Sequence, residues 1–275
     1  MAAKRQQPLI VAGTILIAAG TIIAILPAYI TLKAIQHQVR QALENPPPYK
    51  VKGKLASIVI PSLEEESYLP NLFQTIKNQT YEPIEVIVAD SSSSLSKEKI
   101  EAICEEFSAT YIHVLKLGLS LARNEGAKAA KGDFLIFTDA DCLMSHSYVE
   151  KITSALNKGY ILAHGADPSV DGVVHTLPTI LSRKWFKPRT YTTGRGIGIS
   201  RDAFFKIGGY NEDLDPMLGY REDLDLGKRI KENYGSSSIV LLKDAVIATS
   251  PRREQTFGFH MWKSRGVRGN RILPY

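Results

Sequence analysis

Hydrophobic and polar positions alternate in three different ways along the chain. From Gln6 through Leu32 there is no charge at all, a run of 27 residues, and Leu9 to Leu26 is apolar on every side instead of striped. A helix of that length spans roughly 40 Å, more than the hydrocarbon core of a bilayer. Lipid exposure requires an apolar surface all round, and Tyr29 stands where an interfacial aromatic belongs. Residues 1–32 are therefore predicted to be a transmembrane helix with a short basic start at Lys4-Arg5. A cleaved signal peptide ending near Leu26-Pro27-Ala28 is the alternative, but the apolar stretch exceeds a usual signal core.

Residues 33–54 mix polar and apolar positions. A juxtamembrane helix is predicted from Thr31 to Leu43, with Lys33, Gln36, Gln38, Arg40 and Gln41 polar. Pro46-Pro47-Pro48 stops it by removing donors and imposing extended backbone. Lys50, Lys52 and Lys54 then alternate along an extended stretch. They serve either anionic headgroups or a solvated linker.

From residue 55 to 275 short β-branched runs alternate with amphipathic stretches. Strands are predicted at Ala56–Pro61, Ile84–Asp90, Tyr111–Leu115 and Phe134–Thr138. Helices are predicted at Tyr68–Asn78 (Ser67 as cap, Pro70 in the first turn), Ser96–Ser108 and Ser120–Ala130. Such alternation predicts an α/β domain with a mostly parallel central sheet and helices on both faces. Beyond it, the pattern supports a strand at Tyr160–Gly165, a glycine-rich stretch at Gly194–Ser200 and a short helix at Arg201–Ile207. A turn follows at Gly208-Gly209-Tyr210, then a helix at Asp223–Tyr234 and a strand at Ser238–Ala248 interrupted by Lys243-Asp244. In parallel sheets ligands sit beyond the C-terminal strand ends. Pro61-Ser62, Asp90 and Asp139/Asp141 all fall there.

Composition changes the picture in two respects. Hydrophobic residues make up 44% and charged residues 23%, which excludes a disordered or collagen-like chain. Of 34 bases and 28 acids, seven bases and one acid lie in residues 1–54, leaving 27 of each in the body. A body without net charge lacks the cationic field that nucleic-acid binding needs. The five bases after the apolar run and the two before it predict a cytoplasmic catalytic domain by the positive-inside rule. Cys104 and Cys142 read as free thiols of a reducing compartment.

Asp139-Ala140-Asp141 is the strongest chemical signal. Two carboxylates at the mouth of a buried strand can share one hard cation, magnesium or manganese, whose remaining positions go to phosphates and water. Gly194-Arg195-Gly196-Ile197-Gly198 lacks the GxGxxG spacing of a dinucleotide loop and does not join a first strand to its helix.

Around that motif the chain resembles the family 2 inverting nucleotide-sugar glycosyltransferases of GT-A (Rossmann-like) fold. The resemblance rests on Ile58-Val59-Ile60-Pro61-Ser62-Leu63-Glu64-Glu65-Glu66, on Val88-Ala89-Asp90-Ser91-Ser92-Ser93 and on Ala122-Arg123-Asn124-Glu125-Gly126-Ala127. It continues through Gly208-Gly209-Tyr210-Asn211-Glu212 and Arg221-Glu222-Asp223-Leu224-Asp225-Leu226. Together these span about Ser57 to Arg229 in the family's order. The resemblance implies a nucleotide-sugar donor and a divalent cation (Mn2+ or Mg2+) on Asp139 and Asp141. It implies Asp90 at the donor's base or ribose and Asp223 as the catalytic base, with Glu222 at acceptor hydroxyls. Pro61, Ser62, Glu65, Arg123, Asn124 and Gly209 are the other substrate-binding candidates. Leu63 stands where the family has an aromatic, and Glu64 where it has asparagine. Arg252-Arg253 and the stretch around Trp262 loosely resemble the closing element over the diphosphate, which makes Arg253 and Trp262 candidates; His260 is a displaced match to a late histidine. Residues 250–275 hold six bases and one acid, which suits a phosphate or a membrane. The anchor points to a lipid-linked or other membrane-associated acceptor. The rival functions are a nucleotidyl- or phosphosugar-transferase, which would want a glycine-rich loop after the first strand, and a non-catalytic membrane scaffold.

Overall fold

The computed structural model describes residues 29–31, 33–166, 195–214 and 222–249. The apolar run Leu9–Leu26, and with it the predicted span, lies outside them, as do Arg253, His260 and Trp262. Among the described residues no helix is long and apolar enough to cross a membrane.

Eight strands form one sheet: β1 (Val51–Ser62), β2 (Tyr81–Asp90), β3 (Thr110–His113), β4 (Phe134–Phe137), β5 (Cys142–Met144), β6 (Leu162–Ala166), β7 (Ile197–Ser200) and β8 (Ile239–Thr249). Their order is β3-β2-β1-β4-β7-β6-β8-β5. Pairing is parallel from β3 through β4, antiparallel on both sides of β7, parallel between β6 and β8, and antiparallel for β5. Only β7 and β5 therefore run against the rest, as a mostly parallel sheet requires. The helices are α1 (33–44), α2 (Leu69–Lys77), α3 (Ser94–Glu106), α4 (Leu119–Ala129), α5 (Tyr148–Asn157), α6 (Arg201–Lys206) and α7 (Glu222–Tyr234).

The period of two along the strands builds a three-layer sandwich. Ile58, Ile60, Val88, Phe134 and Ile136 face one way, onto Leu69, Leu72 and Phe73 of α2, Ile100 of α3 and Val149 and Ile152 of α5. Val59, Ile87, Leu135 and Phe137 face the other way, onto Ala127 of α4, Phe204 of α6 and Leu226 and Ile230 of α7. The small residues of α4 let it press onto the sheet. A Cβ at Gly126 would stand 2.5 Å from Val59 Cγ1.

Several elements depart from the pattern-based expectation. β1 starts at Val51, because Val51 and Lys52 already pair with Tyr81 and Glu82 before a bulge ends at Ala56. The Lys50–Lys54 stretch thus belongs to the N-terminal edge of the sheet, away from the C-terminal strand ends. The Lys50 ammonium donates to the carbonyls of Lys77 and Gln79, and Lys54 Nζ lies 4.0 Å from Asp133. α2 begins on Tyr68 with no side-chain cap; the Glu65 carbonyl accepts from Tyr68 and Leu69 instead of a Ser67 cap serving them. β3 stops at His113, where its pairing with β2 ends opposite Asp90, and Leu115 is left 92% exposed. β8 carries a bulge at the predicted interruption: Gly165 pairs with Leu242 and Ala166 with Val246, leaving Lys243-Asp244-Ala245 unmatched. Three elements, β5, β7 and α5, are not among those predicted; β7 falls in the stretch read only as glycine-rich. β5 is too short for a periodic signal, whereas α5 carries the helical stripe Val149, Ile152, Thr153 and Leu156.

Candidate active site

The C-terminal ends of β1, β2 and β4 meet along one edge of the sheet. There the tips of β1 and β2 are tied together. The Asp90 carboxylate is fully buried and accepts from the Ser92 hydroxyl at 2.6 Å and the Tyr111 hydroxyl at 3.1 Å. Burial and the Asp90 charge push the Tyr111 phenol well up, which keeps it a donor. Ser92 Oγ in turn accepts from the Glu64 amide at 2.7 Å, and the Glu64 carboxylate accepts from the Ser93 amide at 2.8 Å. Glu64 adopts φ +56°, a left-handed conformation costly for a side chain of its kind. Pro61 is buried opposite Ala89 in the ladder. Glu65 is also buried, at the start of the turn into α2. The hydroxyls of Ser62 and Ser91 are buried without a hydrogen-bond partner among the described residues, although the Ser62 carbonyl accepts from the Ser91 amide. Buried hydroxyls left open beside a buried carboxylate are what a polar ligand would satisfy.

The centre of the edge is organised by Arg123. Its side chain is 1% exposed and bridges two carboxylates: Nη2 to Asp139 Oδ1 at 3.0 Å and Nη1 to Glu222 Oε1 at 2.8 Å. The guanidinium also stacks 5.1 Å from the Tyr210 ring centre. Burial works against its charge, but Tyr210, Asp139 and Glu222 more than offset this and hold it protonated. Burial pushes the Glu222 carboxyl upward, Arg123 opposes that, and Asp223 adds to it. Asp139 thus spends one oxygen on Arg123, while Arg195 Nε stands 4.0 Å from the other. Asp141 follows two residues on, partly exposed. Asp223 lies in the first turn of α7, and its Oδ1 accepts from the Leu224 amide at 2.9 Å.

Asn124 turns to the opposite task. Its Nδ2 donates to the Tyr210 carbonyl at 2.9 Å and to Glu212 at 2.8 Å, and its Oδ1 accepts from the Tyr210 amide at 2.9 Å. It clamps a turn in which Gly208 and Gly209 take φ +85° and +70°. A Cβ on Gly209 would press to 2.8 Å from Asn124 Oδ1, so glycine is required there on two counts. The clamp is internal, and both Asn124 and Gly209 shape the site from behind. A shallow groove of ≈ 430 Å³ adjoins it, lined among others by Asn211, Asp213 and Arg229 but not by Asp139, Asp141 or Asp223.

The structure therefore brings Asp139, Arg123 and Glu222 into contact, with Asp141 and Asp223 adjacent in sequence, and gathers Ser62 and Asp90 a short way along the same edge. Arg195 and Tyr111 were not singled out by sequence. Arg195 sits in a glycine-rich string with no periodic signal, and the approach of Tyr111 to Asp90 depends on strand pairing. Asp139 and Asp141 supply carboxylate oxygens at a strand end, the donor type that a hard divalent cation takes. Among the described residues no cluster of three or more His, Cys, Asp or Glu side chains is arranged to hold a metal by protein groups alone.

Comparison with known proteins bears on this geometry. An uncharacterized glycosyltransferase of Haemophilus influenzae is 24% identical over 188 residues, 60% of each chain. Glycosyltransferase GlyA of Streptococcus pneumoniae is 35% identical over 102 residues, 35% of this chain and 14% of that protein. The chain thus spans less than two thirds of either relative. Among solved structures, the mannosyltransferase PcManGT of Pyrobaculum calidifontis, in complex with GDP-Man and Mn2+, superimposes with a TM-score of 0.59 at 19% identity, covering 88% of this chain and 71% of that one. TarS of S. aureus gives 0.57 at 16% identity, covering 74% and 38%. These likenesses establish a shared GT-A fold. The model of the family described as Glycosyl transferase family 2 matches residues 57–211, more than half of the chain, from the second half of β1 through the Tyr210 turn, and the chain belongs to that family.

Proposed function

We propose that this chain transfers a sugar from a nucleotide-sugar donor, with inversion, to a membrane-linked acceptor, and that residues 6–32 anchor it with the catalytic domain on the cytoplasmic side. The observation that carries the reading is the Arg123 bridge, which sets Asp139, at the end of β4, and Glu222, beside Asp223, on one buried guanidinium. Donor-side and acceptor-side carboxylates then face one another across a single cation.

Ser62, Ser91 and Asp90 are the groups for the nucleoside: two open hydroxyls and a carboxylate at the tips of β1 and β2. Asp139 and Asp141 would hold Mn2+ or Mg2+, which when bound supplies positive charge against the departing diphosphate. Mn2+ is bound by PcManGT, and TarS is known with UDP and with UDP-GlcNAc. The acceptor hydroxyl oxygen bonds to the anomeric carbon on the face opposite the leaving group. The carbon–oxygen bond to the diphosphate breaks, and its electron pair leaves with the diphosphate. The hydroxyl proton passes to a carboxylate. Glu222 is committed to Arg123, and Asp223 beside it takes the role of base, one worth about 10²–10⁴-fold. It stands in the first turn of α7.

The test is a panel of UDP- and GDP-sugars with Mn2+ or Mg2+, read by thermal shift and by release of nucleoside diphosphate. We expect release with one donor only when a divalent cation is present. Asp141→Ala should lose the cation-dependent thermal shift and turnover, whereas Asp223→Asn should keep the shift and lose turnover. Near-normal turnover in both variants overturns the assignment.

A further inference from the structure

We infer that the edge of the sheet carrying the Arg123 carboxylates faces the bilayer surface, because α1 is docked on the domain in an orientation that delivers the preceding segment to that edge. The inference rests on the anchoring proposed above and adds to it a fixed orientation.

The first observation is the course of α1. Its buried stripe Ile35, Val39 and Ala42 packs on Val246 and Ala248 of β8 and Leu143 of β5. Its C-terminal end is held at the edge away from the site: Asn78 Nδ2, just after α2, donates to the Ala42 carbonyl at 2.9 Å, and His146 Nε2 lies 2.7 Å from the Asn45 carbonyl. The His146 carbonyl accepts from Thr80, immediately before β2 begins. β5 runs in the reverse sense from the site edge, where Cys142 pairs with Thr249 and its amide donates to the Asp139 carbonyl. Asn45 to Ile35 is about 15 Å of helix. α1 therefore climbs from the far edge alongside β5 and β8, and its start points toward the site edge. Tyr29 and Ile30 are exposed there, with Lys33 Nζ 5.6 Å from the Tyr29 ring. An aromatic and a lysine together suit the headgroup level.

The second observation is independent and lies at the opposite end of the same edge. Leu95, just after the tip of β2, and Leu115 and Leu117, after the tip of β3, are 67%, 92% and 59% exposed. They are the most exposed leucines among the described residues, with exposed Lys116 between two of them. A bare aliphatic rim holding a base between its leucines fits an anionic lipid surface. By contrast Lys50, Lys52 and Lys54 lie at the far edge, where Lys50 and Lys54 have protein partners, and they take no part in this contact.

Full-length chain in vesicles of phosphatidylcholine and phosphatidylglycerol tests this. Cys104 and Cys142 are buried, so a fluorophore can be placed selectively at Lys116→Cys on the site edge or at Lys158→Cys on the far edge, next to the start of β6. With a quencher on the lipid headgroups, the probe at 116 should lose most of its emission and the probe at 158 should keep most of it. Leu115→Ser with Leu117→Ser should restore part of the emission at 116 while the protein still floats with the vesicles. Equal or reversed quenching in floating protein overturns the orientation and leaves the anchor intact. Failure to float overturns the anchor and the orientation with it.

Discussion

Arg123 stands at the point where charge, burial and connectivity coincide. Its guanidinium fork is matched to two carboxylates at once, which a lysine point charge cannot reproduce. Replacing it with methionine would leave Asp139 and Glu222 facing each other without a cation, and breaking a buried pair in this way costs about 3–5 kcal/mol. Arg123→Met should therefore lower the urea midpoint by a large margin, and Arg123→Lys should fall between it and the parent. The thiols give a second expectation at this scale. Burial pushes Cys104 up to about 12 and raises Cys142 as well. In the unfolded chain a thiol ionises near pH 8.5. The stability each buried thiol contributes is thus complete below that pH and is lost as pH rises toward the folded value. Native protein should be inert to a disulfide reagent at pH 8, and both cysteines should react after denaturation. The sequence displayed Asp139 and Asp141 clearly, because a strand led into them. It did not display the partners of Arg123: the guanidinium reaches Glu222 across 99 positions, and no local spacing encodes that.

The elements show where periodicity speaks and where packing does. β1, β2 and β4 were legible because their buried runs are continuous, α2 from its expected cap and first-turn proline, α3 from an apolar stripe at helical spacing, and α4 from its small residues. Boundaries were less legible. β1 begins early because the parallel partner Tyr81 is present, and β3 ends early because β2 runs out of paired residues at Asp90. β5 owes its existence to β8, which no three-residue window can announce. The turn after α6 was legible from its two glycines, although the reason for the second of them, the Asn124 clamp, was not. In α4 the decisive residue is the one with no side chain. Gly126→Val would thrust methyl groups into Val59, and overpacking of this kind costs about 1–3 kcal/mol. A lower melting temperature checks it, and Val59→Ala in the same chain should recover part of the loss.

At the scale of the whole molecule the sheet joins two unlike parts. One is the parallel order β3-β2-β1-β4 with Ser62 and Asp90 at its tips; the other is the mixed set β7-β6-β8-β5 with α7. The alternation of strands and helices foretold the first part. The second has reversed strands, a bulge and a docked α1, so its register depends on contacts far apart in the chain. Orientation is likewise a property of the whole. Neither the apolar run nor the amphipathic stripe of α1 bears on which edge of the domain would meet lipid in the anchoring proposed above; the proposed orientation rests on the way α1 lies along β5 and β8. Arg123 carries a last consequence. The family segment ends at residue 211, yet the guanidinium takes half of its neutralisation from a glutamate eleven positions later. A protein trimmed at that boundary would keep its cation and forfeit a counterion, with β8 removed from between β6 and β5. Domain borrowing or fragment expression therefore has to include α7 and β8, since the catalytic module is wider than the segment by which it is recognised.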